Sequence, residues 1–207
     1  MTKPRILVID DDESSREFAV IALRNYFEVH EAESPRDGFK MLTDSAEEGR
    51  LYQGVLLDFN MPGMNGGEVL HVLRGHAQNT LVERVVRDYF QGDFQGLAGV
   101  HAYYHHDVVQ PRPIVMYSGG KDLTSDYLSL GATGVLCKDQ LGRTGYRPLL
   151  DVFKEHIPPR PSEPSLIPQP TVPQHAVLSA EREHVSGLHD LSLLGTGQRV
   201  YTSNTPE

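Results

Sequence analysis

Ile6-Leu7-Val8-Ile9-Asp10-Asp11-Asp12 and Gly54-Val55-Leu56-Leu57-Asp58 are two short apolar runs that end alike, in carboxylates. An apolar run of this length, bounded by turn-forming residues, is the pattern of a strand buried on both faces. In a parallel sheet, strand ends of like sense lie on one edge, and ligands of open α/β sheets bind outside that edge. Carboxylates gathered there repel one another unless a cation lies among them, and hard oxygen donors favour Mg²⁺ or Ca²⁺. The two runs therefore predict an acidic metal pocket with Asp58 at its centre.

Outward from these runs, strands and helices alternate as far as residue 157. Ser14 to Tyr26 groups Phe18, Ile21, Ala22 and Leu23 at helical spacing, and Glu28 to Ala32 is a second strand. Ser34-Pro35 opens a helix, a capping serine followed by proline at the first helical position. Val55 to Phe59 is the third strand, and Asn65 with Glu68 forms a capping-box start for the next helix. Ile114 to Tyr117 and Val135 to Cys137 are the fourth and fifth strands; Leu123 to Leu130 and Tyr146 to His156 read as helices. This alternation predicts an α/β fold, a five-stranded parallel doubly wound sheet in the flavodoxin-like order 2-1-3-4-5.

Two segments break the rhythm. Nearly forty residues lie between Arg74 and Pro113, where a short loop would do. Thr80 and Glu83 can cap a helix there, with Leu81, Val82, Val85, Val86, Tyr89 and Phe90 as its apolar stripe. The Gly-spaced, aromatic-rich piece from Gly92 to Tyr104 reads as irregular. Beyond Ile157, seven of the 14 prolines fall between Pro158 and Pro173, the composition of an extended linker. The domain limits that follow are 1–157, with an insert at about 76–112, and a largely disordered proline-rich tail at 158–207.

Bulk composition bounds the function. The hydrophobic fraction of 39% is low for a chain of 207 residues packed throughout. The formal charge of −9 argues against non-specific nucleic-acid binding, which needs basic surface. The single cysteine, Cys137, excludes an internal disulfide, fits a reducing compartment and, inside an apolar run, reads as a buried thiol. No stretch reaches membrane-spanning length and no apolar leader precedes the first strand, so a soluble, cytoplasmic protein without membrane contact is expected.

The predicted strand ends collect a set of groups with one chemistry in common. Asp10, Asp11 and Asp12 follow strand one, Asp58 ends strand three, Ser118 follows strand four and Lys138 follows strand five. Carboxylates, a hydroxyl and an ammonium at one edge make a self-consistent phosphoryl-transfer site, with a metal offsetting the acidic charge. A carboxylate can itself become the nucleophile, forming an aspartyl-phosphate. A P-loop or dinucleotide site is poorly supported, because no glycine-rich loop follows strand one.

The same residues carry a resemblance. Ile6 to Asp12, the segment Leu57-Asp58-Phe59-Asn60-Met61-Pro62-Gly63-Met64-Asn65-Gly66, and the spaced Ser118 and Lys138 resemble the bacterial response-regulator receiver domain over about residues 3–157. The resemblance implies that Asp58 is the phosphoacceptor, that Asp10 and Asp11 hold Mg²⁺, and that Asn60 gives the metal its backbone carbonyl. Ser118 and Lys138 would contact the phosphoryl group, while Asp12 is not assigned as a ligand. It also implies a histidine kinase or phosphotransfer protein as donor, and a protein that is not an enzyme beyond self-catalysed transfer and dephosphorylation. Three positions depart from the family pattern: Asp139 replaces the usual proline after Lys138, Val135 replaces the switch aromatic of strand five, and Gly119 replaces a common alanine.

Other groups have plainer readings. His101, His105, His106 and Asp107 suggest a metal site, but no cysteine accompanies them and zinc spacing is lacking. The Leu81–Phe90 stripe reads as core packing, with a dimer or docking surface as its alternative. Residues after Pro158 predict no DNA-binding domain, so output by contact with an unidentified downstream protein follows by elimination. The rival reading is a phosphorylation-independent interaction module on a receiver scaffold. A haloacid-dehalogenase-like phosphatase would want a second aspartate two residues beyond Asp58, where Asn60 stands.

Overall fold

The computed structural model describes residues 3–105, 108–119 and 124–157. The chain separates into a unit spanning Met1–Pro170 and a second spanning Thr171–Glu207, and the described residues all belong to the first. The predicted proline-rich tail lies outside them.

Five strands, β1 (Arg5–Ile9), β2 (Glu28–Ala32), β3 (Gly54–Asp58), β4 (Ile114–Ser118) and β5 (Gly134–Cys137), form one sheet in the order β2-β1-β3-β4-β5. All four pairings are parallel, with Ile9 level with Leu57, Asp58 with Tyr117 and Ser118 with Cys137. This is the flavodoxin-like order expected from the alternation.

Side-chain alternation along the central strands sorts the core into two layers. Leu7, Ile9, Val55, Leu57, Ile114 and Met116 face α2 (Pro35–Glu47), α3 (Gly66–Arg74), α4 (Asn79–Tyr89), α5 (Phe94–Tyr104) and α6 (Thr124–Ser129). Ile6, Val8, Leu56, Val115 and Tyr117 face α1 (Glu13–Leu23), α7 (Lys138–Thr144) and α8 (Arg147–His156).

The local signals at two helix starts act as read. Ser34 Oγ accepts the Asp37 N–H at 3.2 Å ahead of Pro35. Asn65 and Glu68 close a reciprocal capping box at α3.

The segment between α3 and β4 differs from expectation. Thr80 lies inside α4 rather than capping it: Gln78 is the N-cap and makes no side-chain cap bond. The piece read as irregular is the helix α5, capped by Asp93 at the Gln95 N–H. Val85, Val86, Phe90, Leu97, Val100 and Tyr104 are all buried in the same layer as the sheet, so this segment packs on its own domain. Cys137 is half-buried, not buried, because β5 is an edge strand whose four residues are all only partly covered.

Candidate active site

β1, β3, β4 and β5 run parallel and end at Ile9, Asp58, Ser118 and Cys137, so Asp10, Asp58, Ser118 and Lys138 emerge at one sheet edge. Asp10, Asp58 and Ser118 are 1%, 3% and 2% exposed. Carboxylate oxygens of Asp10, Asp11 and Asp58 lie within 4.8 Å of one another, with Asp11 the exposed member. Lys138 Nζ sits 2.7 Å from Asp10 Oδ2 and 2.6 Å from Asp58 Oδ1.

The charges of this cluster are incompletely offset. Burial pushes the Asp10 carboxyl above its ordinary range; the Lys138 ammonium and the Asp12 N–H, which donates to Asp10 Oδ1 at 3.0 Å, pull against it. Burial alone would lower the Lys138 ammonium, but hydrogen bonds to Asp10 and Asp58 outweigh it and its pKa is raised. Asp10 Oδ2 is buried and, apart from this ionic contact, lacks a hydrogen bond of good geometry. Three carboxylates facing one ammonium, with an orphaned buried oxygen among them, fit a hard divalent cation held by Asp10, Asp11 and Asp58. Two acids near a single cation otherwise raise the cost of keeping both ionised.

Neighbouring groups fix the site. Asp12, left out of the metal set by sequence, caps α1 by accepting the Ser15 N–H at 2.7 Å. Arg16, in the first turn of α1, donates to the Asp10 carbonyl at 2.9 Å and lies 3.7 Å from Glu31. The ring of Tyr117 is 5.0 Å from Lys138 Nζ, within cation–π range. Neither Arg16 nor Tyr117 carried a sequence signal: their roles depend on a helix turning back over a loop and on register between strands.

Asn60 lies exposed in the loop between β3 and α3. That loop is held from below by Met61 and Met64, 7% and 1% exposed. At its end the Gly66 N–H donates to the Phe59 carbonyl at 2.8 Å. A Cβ on Gly66 would stand 2.0 Å from the Asp58 carbonyl oxygen, so the first turn of α3 lies directly against the end of β3.

The histidines play another part. His101 Nε2 donates to the Val72 carbonyl at 2.7 Å, and its ring lies 5.2 Å from that of His105. Both sit at the end of α3 away from Asp58; His106 and Asp107 lie outside the described residues. Among the described residues the acidic trio alone forms a metal-binding group of three or more.

The site is thus a buried aspartate, Asp58, flanked by an acidic pair and a lysine at one edge of a 2-1-3-4-5 parallel sheet. Residues 6–87 match the family model described as the response regulator receiver domain. Ser118 and Lys138 lie beyond the matched residues.

The chain is 26% identical over 112 residues to the transcriptional regulatory protein SrrA of Staphylococcus aureus, covering 54% of this chain. It spans 44% of that relative's length. Among solved structures, it is similar to the Vibrio cholerae chemotaxis protein CheY4, with 21% identity and a TM-score of 0.47 over 75% of this chain and 100% of that one. It is also similar to the response regulator domain of Thermotoga maritima CheB, with 18% identity and a TM-score of 0.46 over 77% and 99% of the two chains.

Proposed function

We propose that this protein accepts a phosphoryl group on Asp58 from a phosphohistidine donor, a histidine kinase or phosphotransfer protein, with Mg²⁺ held by Asp10, Asp11 and Asp58. The observation that carries the reading is the convergence of these carboxylates within 4.8 Å, with Lys138 against two of them. A bound divalent cation would offset the acidic charge and polarise the phosphoryl oxygens. Asp58 Oδ attacks phosphorus as the donor's P–N bond breaks, giving an acyl phosphate and a neutral histidine. Lys138 and Ser118 would receive the phosphoryl oxygens, and the Asn60 carbonyl would join Asp10, Asp11 and Asp58 in holding the metal. Water attack at phosphorus later releases inorganic phosphate and restores Asp58. The protein is a phosphoacceptor that resets itself, not a turnover enzyme, and its output is a contact with another protein.

A cytoplasmic setting suits this role, and no described helix is long and apolar enough to cross a membrane. Intact-mass measurement after incubation with Mg²⁺ and acetyl phosphate tests the reading. A phosphate-sized gain that disappears in Asp58→Asn is expected. No gain from any donor, including phosphohistidine proteins, would overturn it and leave the phosphorylation-independent scaffold.

A further inference from the structure

We propose that Arg84, on the added helix α4, is a positioning residue for the Asp58 loop, acting through Glu68; the inference rests on the phosphoacceptor reading of Asp58. The segment after α3 starts at the sheet edge opposite Asp58, yet α4 returns toward it. Arg84 reaches Glu68 in the first turn of α3, and the Tyr89 hydroxyl lies 3.8 Å from where a Cβ of Gly63 would stand. The helix is itself anchored, since Val85 and Val86 are buried in the sheet layer and Tyr89 packs edge-to-face on Phe39 at 5.7 Å.

Glu68 divides its carboxylate between two tasks. Oε2 accepts the Asn65 N–H at 3.1 Å, closing the capping box, and Oε1 accepts from the Arg84 guanidinium at 2.7 Å. Asn65 is the last residue of the loop that begins after Asp58 and carries Asn60. Met61 and Met64 hold that loop from the core, while on the outside Arg84 grips its capping glutamate and the Tyr89 hydroxyl lies near Gly63. A connected path thus runs from the packed insert through Arg84, Glu68 and Asn65 to the acceptor loop.

Without Arg84, the Glu68 side chain, 32% exposed, is free to turn into solvent and the loop loses an outer anchor. An ion pair this exposed adds little to folding stability. Its effect is therefore expected in the geometry of the loop and in the dependence of phosphorylation on Mg²⁺.

The test compares Arg84→Ala, Glu68→Gln, the double variant and Arg84→Lys in the full chain. Arg87→Ala serves as the control, because Arg87 pairs with Asp88 on the same helix. Phosphorylation by acetyl phosphate is followed by intact mass across Mg²⁺ concentrations, and deuterium uptake is measured in peptides covering 59–68. Arg84→Ala and Glu68→Gln should each slow phosphorylation about threefold to fivefold, the rate equivalent of one well-formed surface ion pair. Half-saturating Mg²⁺ should rise and the loop should exchange faster, with the thermal midpoint within about 2 °C of the parent. Arg84→Lys should recover most of the rate, and the double variant should be no slower than either single one.

A wild-type rate and unchanged uptake in Arg84→Ala would overturn the proposal, as would additive losses or an equal loss in Arg87→Ala. If the parent chain takes up no phosphate, the phosphoacceptor reading fails. Loop uptake then decides the brace alone, and unchanged uptake in Arg84→Ala overturns it.

Discussion

Gly66→Ala is the sharpest perturbation this site offers, because the glycine is required by space rather than by backbone conformation. Its φ is not in the left-handed region, and an alanine there would be a better helix former by about 1 kcal/mol. Yet its Cβ would stand 2.0 Å from the Asp58 carbonyl oxygen, 3.0 Å from the Asp58 carbonyl carbon and 3.1 Å from Phe59 Cα. All three are backbone atoms at the end of a central strand, so no side chain can swing aside. α3 has to retreat by about 1 Å to reach even a tight contact. That strain costs about 1–3 kcal/mol, and the retreat weakens the Gly66 N–H to Phe59 carbonyl bond by about 1 kcal/mol.

After the helical gain is subtracted, the net loss is about 1–3 kcal/mol, or roughly 3–10 °C in thermal midpoint for a domain of this size. The same retreat moves the acceptor loop, and misplacement of about 1 Å can lower a rate by about a hundredfold. Urea unfolding and the acetyl phosphate time course, run side by side, read both effects. Gly119→Ala is the comparison: no atom of the described residues lies within 4 Å of where its Cβ would stand, so it should leave stability unchanged. A Gly66→Ala variant as stable as the parent and phosphorylated at the parent rate would refute the packing of α3 against Asp58.

Lys138→Ala should destabilise the metal-free protein by about 3 kcal/mol, since it leaves buried Asp10 and Asp58 facing each other without the ammonium. Saturating Mg²⁺ should recover much of that loss, which calorimetric melting with and without the metal measures; equal losses in both would argue against a cation among these acids. His101 supplies a pH dependence: burial pushes its pKa down to about 4, with a smaller push from His105 and an opposing bond to the Val72 carbonyl. The unfolded chain binds that proton below about pH 6.5 and the native protein only below about 4, so stability should fall as pH drops across this interval, by up to about 3 kcal/mol. His101→Gln should remove that share of the slope in urea unfolding at pH 7 and pH 4.5; an unchanged slope would show that the ring protonates freely in the fold.

The sheet and most of the acidic edge were legible because each rests on contiguous residues. Ile6 to Asp12 names both a buried strand and the carboxylates after it, and Ser34-Pro35 and Asn65 with Glu68 announce their helices through neighbours three residues apart. α5 was not legible: Gly96 and Gly99 lower its helix propensity, and its helical state depends on burying Leu97, Val100 and Tyr104. α7 is seven residues long and starts at Lys138 with no side-chain cap. The start of α4 escaped for the same reason, because Gln78 caps with its backbone alone. Contacts across distant positions leave no periodic trace. Glu68 to Arg84 spans 16 residues, and Arg74 Nε to the Gly131 carbonyl, at 2.8 Å, spans 57.

The added helices change what the domain can use as a moving surface. Val85, Val86, Phe90, Leu97, Val100 and Tyr104 each bury most of a large side chain against α2, α3 and the sheet. At about 1.5–3 kcal/mol per side chain, their gross contribution is of the order of the whole stability of a typical domain. Arg74 adds a buried cation that donates to the Tyr104 carbonyl at 2.7 Å, tying the end of α5 to α3 and, through Gly131, to the turn before β5. Burial lowers the Arg74 guanidinium to about 10, so it stays charged at neutral pH and its carbonyl partners are obligatory. The face over α2 and α3 is therefore covered by α4 and α5 of the chain itself. A change of shape that starts at Asp58 can reach β5 by two routes among the described residues. One is through Phe59, whose ring lies 5.3 Å from Tyr127 on α6; the other is through Lys138 at the start of α7. Both lead toward β5, whose partly covered residues form the sheet edge on that side.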